Sequence, residues 1–83
     1  MIIKDFKTLP IPEQWFELWE YGSFLATVQT DWCNFSLYAL HSFYVEVYSD
    51  PATNRVFANF PFKDTKGLEK YIMHIEVPEL NII

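Results

Sequence analysis

Hydrophobic and polar positions follow two periods along this chain, and the changes between them predict its elements. From about Pro12 to Glu20 the period is helical. Ile11, Trp15, Leu18 and Trp19 fall in one stripe, Glu13, Glu17 and Glu20 lie opposite, and Phe16 stands outside the stripe. Pro12 suits a first helical turn, where its missing amide loses no partner, and Gly22 suits the stop. From Ser23 the period becomes two, with Phe24, Ala26 and Val28 on one side of a strand and Leu25, Thr27 and Gln29 on the other.

Asp31 and Asn34 bracket a turn, and a second extended segment runs from about Phe35 to Ser49, with a break near His41-Ser42. Its latter half sets Phe43, Val45 and Val47 against Tyr44, Glu46 and Tyr48. Asp50-Pro51-Ala52-Thr53-Asn54 reads as a hairpin turn. Asp accepts backbone bonds at the entry, Pro fixes φ, and Asn tolerates the left-handed conformation that returns the chain. The third strand spans Arg55 to Phe62, with Val56, Ala58, Phe60 and Phe62 facing one way and Pro61 closing its ladder.

Asp64 or Thr65 caps a last helix whose Leu68, Tyr71, Ile72 and Ile75 share a face, and Val77-Pro78 ends it. Gly67 in its first turn costs about 1 kcal/mol relative to Ala, so this helix depends on packing more than on propensity. The expected order is α-β-β-β-α. It describes an α+β, two-layer sandwich in which an antiparallel three-stranded sheet carries both helices on one face; the runner-up places one helix on each face. The apolar tail Glu79-Leu80-Asn81-Ile82-Ile83 is expected to pack, either on this domain or on a second copy.

Length narrows the picture to one domain, since 83 residues leave no chain for a second core. A core this small is thin, and Cys33, the only cysteine, cannot bridge within the chain, which fits a reducing compartment. Lys4, Asp5 and Lys7 stand where a secretory signal needs an apolar run, and no stretch reaches the roughly 20 apolar residues of a membrane helix. The expectation is a cytoplasmic protein. Eleven acidic against six basic residues, a net charge of -5, argue against nucleic acid and anionic membranes as partners.

Catalytic chemistry finds little purchase. Cys33 with His41 or His74 has no pattern that sets a base beside the thiol, and the same three residues lack metal-ligand spacing. Two isolated glycines build no phosphate loop, so no metal or cofactor is expected. Among the carboxylates, Glu46 is the exception to solvation or capping duty, because it sits mid-strand between Tyr44 and Tyr48; exposure on a wet sheet face is the favoured reading.

Eight Phe, five Tyr and three Trp remain, more than a thin core absorbs. The expectation is a non-catalytic protein-protein interaction or assembly domain acting as a homodimer. Its contact is either an open sheet face around Tyr44, Glu46, Tyr48 and Phe57 or the first helix around Trp15, Phe16 and Trp19. Two alternatives stand beside it. One is a small-ligand-binding protein or minor enzyme with an aromatic pocket, using Glu46, His41 and Cys33. The other is an acidic regulator that meets a basic protein surface through Glu13, Glu17 and Glu20.

Overall fold

The computed structural model describes residues 1–74, with the side chains of the first 72. The expected helix end at Val77-Pro78, the placement of Ile75 and the docking of the tail fall outside them. The α+β class holds, with four strands in place of three and an additional helix at the start. The order is α1 (Ile3–Thr8), α2 (Ile11–Tyr21), β1 (Ser23–Gln29), β2 (Asn34–Leu40), β3 (Phe43–Ser49), β4 (Val56–Phe62), a 3-10 turn (Thr65–Leu68) and α3 (Glu69–His74).

α1 is too short for a period to announce it. Asp5 accepts from the Ile2 amide at 3.2 Å, and Phe6 is driven fully into the core. Leu9-Pro10 then breaks the chain, and α2 starts and stops close to the expected Pro12 and Gly22. The extended segment from Phe35 to Ser49 is two strands, because His41, at φ 54°, makes a two-residue turn with Ser42 between Leu40 and Phe43. The Asp50 turn forms as expected. Its carboxylate accepts from the amides of Ala52 and Thr53 at 2.7 and 3.2 Å, and Asn54 adopts φ 64°.

The strands form one antiparallel meander, β1-β2-β3-β4, with β1 and β4 at the edges. The expected packing of both helices on one face is corrected, and the runner-up arrangement holds. β2 and β3 bury side chains on both sides, so each face of the sheet carries a cover. On one face Leu40, Phe43, Val45 and Val47 meet Phe6 of α1 and Leu18 of α2. On the other, Val28, Phe35 and Leu37 meet Cys33 and Tyr71 of α3. The strict alternation expected through β1 also fails, because the register shifts between Phe24 and Ala26. This bulge leaves Phe24 beside Tyr38 on the α2 face, while Ala26 and Val28 serve the α3 face.

Candidate interaction surface

α2 crosses the strands. Its first turns lie by β4, where Ile11 and Trp15 share a groove with Phe57, Asn59 and Phe60. Its last turn lies by β2 and β1, where the Trp19 ring meets Tyr38 at 5.5 Å and Tyr38 meets Phe24 at 5.7 Å. The buried line of the helix is Gln14 and Leu18, so the expected stripe of Ile11, Trp15, Leu18 and Trp19 is rotated about the helix axis. Gln14 explains the rotation: its amide nitrogen donates to the Phe6 and Leu9 carbonyls at 3.2 and 3.1 Å, which satisfies the end of α1 from inside. Glu17, on one flank, reaches His41 Nε2 at 2.6 Å. Ile11, Trp15 and Trp19 occupy the other flank, with Trp15 half-buried and stacked on Trp19 at 5.6 Å. Phe16 is 64 % exposed and Trp19 48 %.

The second margin is β4, an edge strand without a single charged side chain from Val56 to Phe62. Phe57 is 60 % exposed, and Val56 and Phe60 are exposed beside it. Natural edges are commonly blunted by charge or proline, and here only Pro61 serves. The groove between this strand and α2 encloses about 210 Å³. Asn59 lies on its wall, with Oδ1 buried and without a hydrogen-bond partner among the described residues.

The other nominated face is not open. Tyr44 and Tyr48 are half-buried against the core beneath the 3-10 turn and α3. Glu46 is only 9 % exposed, and the wet-face reading is corrected because the last helix brings it partners. Lys70 Nζ and Tyr71 Oη both donate to Glu46 Oε2, at 2.8 and 2.7 Å, and the Lys70 ammonium lies 3.8 Å from the centre of the Phe35 ring. Burial, then the hydrogen bond to Glu46 and its negative charge, hold the Tyr71 phenol far above its usual range. Burial raises Tyr48 in the same direction, aided by Glu46, and burial raises Tyr38. This is the chemistry of a latch.

The structure therefore separates the seven nominated contact residues. Trp15, Phe16 and Trp19 share α2, Tyr44, Glu46 and Tyr48 lie under α3, and Phe57 on the edge strand lines the groove with Trp15 while its ring also meets Tyr48 edge to face at 6.2 Å, as expected. Sequence reasoning missed Phe24, Tyr38 and Phe60 as surface. The bulge that turns Phe24 outward has no local signature, and nothing local marks the strand of Phe60 as a sheet edge. Cys33 is fully buried beside the β1–β2 turn, whereas His41 occupies the β2–β3 turn at the opposite end of the sheet, so the two make no nucleophile and base. Among the described residues no three of His, Cys, Asp and Glu converge as metal ligands, and no helix is long and apolar enough to cross a membrane. No protein-family model, no curated protein and no solved structure matches the chain.

Proposed function

We propose that the protein is a non-catalytic interaction or assembly domain that acts as a homodimer in the cytoplasm, with the β4 margin as the contact between copies. The uncharged, aromatic edge of Val56, Phe57 and Phe60 beside Ile11 carries this reading. At 150–250 Å² for a whole aromatic side chain, the exposed parts of these four residues sum to roughly 400 Å². That is close to the apolar share of the ~800 Å² each partner gives to a standard interface. An edge strand also offers unpaired backbone groups to a symmetric neighbour. Trp15, at the groove, extends the patch toward Trp19 and Phe16.

The small-ligand alternative has weaker support. Ligand pockets usually enclose roughly 300–1,000 Å³, more than this groove's 210 Å³, and Asn59 Oδ1 is buried away from any occupant. Ile11→Lys combined with Val56→Lys places charges in the contact at two exposed side chains that belong to neither core. The double variant is expected to sediment as a monomer with unchanged circular dichroism, and an intact dimer would reject the β4 margin.

A further inference from the structure

Backbone groups alternate along an antiparallel strand, so the side to which one residue turns its N–H and C=O fixes the side for the rest. The Asp50 amide donates to the Arg55 carbonyl at 2.9 Å across the hairpin turn, which sets the even-numbered residues of β3 toward β4. Tyr48, Glu46 and Tyr44 therefore exchange their bonds with Ala58, Phe60 and Phe62. Asn59 and Pro61, opposite Val47 and Val45, turn their backbone groups to the free side. Pro61 costs the ladder nothing there, because its missing N–H faces outward. At the other end of β4 the register shifts, and Phe57 is the extra residue of a bulge between Val56 and Ala58. Between bulge and proline the regular stretch is Ala58, Asn59 and Phe60. Asn59 alone in it offers both a donor and an acceptor on the free edge.

We propose, resting on the homodimer reading above, that β4 of one copy pairs antiparallel with β4 of the second copy about a two-fold axis at Asn59. Two four-stranded sheets then become one of eight strands. Each Asn59 N–H donates to the Asn59 carbonyl of the other copy, so both donors and both acceptors are satisfied. An axis at Phe60 sets Asn59 against Pro61 and leaves each Asn59 carbonyl without a donor. An axis at Ala58 sets Asn59 against the bulged Phe57, where regular pairing is broken. Side chains select the same axis. It places the exposed Phe60 ring opposite the Ala58 methyl of the second copy, on the face of Glu46 and Tyr48, a large residue over a small one. The opposed strands carry no charged side chain, so none meets its like. An axis of this kind keeps corresponding faces of the two sheets on one side. Ile11, 60 % exposed at the groove beside Asn59, is thereby brought toward Ile11 of the second copy.

The test uses the full chain. Asn59→Cys is exposed to oxidised glutathione, with Val56→Cys and the parent chain, whose Cys33 is fully buried, as controls. Directly bonded antiparallel partners lie about 5.5 Å apart between Cα atoms, within the roughly 4.4–6.8 Å that a disulfide spans. The two copies of Val56, three positions from the axis on each strand, lie more than ~10 Å apart at ~3.3 Å per residue. Asn59→Cys is expected to link the copies at least about tenfold faster than Val56→Cys, with unchanged circular dichroism, while the parent does not link. Amide hydrogen exchange reads the same bond without a new cysteine, and decides alone should Asn59→Cys unfold. The Asn59 amide is expected to exchange at least about tenfold more slowly in the parent than in the Ile11→Lys, Val56→Lys variant, whereas the Phe60 amide, bonded within the sheet, changes little. A parent of dimeric mass in which Asn59→Cys links no faster than Val56→Cys, or in which the Asn59 amide exchanges as in the variant, overturns this pairing and leaves the homodimer standing. A parent of monomeric mass overturns both.

Discussion

The carboxylate of Glu46 stands in a strand interior, where a charge without partners is costly, and the last helix supplies both partners through one oxygen. Glu46→Ala removes an acceptor from two donors at once and is expected to cost about 2 to 3 kcal/mol, read from urea unfolding; a loss below about 0.5 kcal/mol would show that the latch contributes nothing. Tyr71 makes this dependence visible in pH. Its folded phenol is held above the ordinary value of 10.0, so the unfolded chain releases that proton first as pH rises. The stability this supplies is full below pH 10 and is lost progressively above it, so the protein should weaken in alkali. Tyr71→Phe should flatten that decline, and an unchanged slope between pH 9 and pH 11 in thermal melts, about the range in which a free phenol titrates, would contradict the assignment. Gln14 plays a corresponding part on the opposite face. Gln14→Ala takes the side-chain donor from the Leu9 carbonyl and one of two donors from the Phe6 carbonyl, which keeps the Leu9 amide, for an expected loss of about 1 to 2 kcal/mol in chemical denaturation.

Elements were legible in proportion to their length and to how local their signals are. The seven-residue alternation of β3, the Asp50 turn and the Pro12 and Gly22 boundaries of α2 are written in neighbouring residues, and they appear where expected. What failed depends on distant partners. The rotation of α2 follows from Gln14 finding the carbonyls of α1, a helix of six residues that no period reveals. The four-strand count turns on His41 accepting a positive φ, and the burial of Tyr44, Glu46 and Tyr48 on where α3 lands. Gly67 shows the same dependence: a Cβ there would lie 2.4 Å from the Phe62 ring, so the glycine admits the ring and fixes how the 3-10 turn meets β4. Gly67→Ala, favourable for an isolated helix, is therefore expected to destabilise by about 1 to 3 kcal/mol in thermal melts. A gain in stability would show that the ring yields.

At the scale of the whole molecule, two small cores on opposite faces share β2 and β3, and between them they bury only part of the aromatic complement. Of the two places expected for exposed aromatics, the first helix keeps Phe16 and Trp19 at the surface and the tyrosine face is roofed, while Phe24, Trp32 and the β4 edge at Phe57 and Phe60 are exposed as well. The aromatic, uncharged edge of β4 and the acidic, aromatic α2 are different surfaces. The interaction reading stands or falls on whether copies associate. Molar mass by light scattering after size exclusion, across about a hundredfold range of protein concentration, decides it. A constant mass near twice 9.9 kDa is the predicted result, and a constant 9.9 kDa would contradict the homodimer.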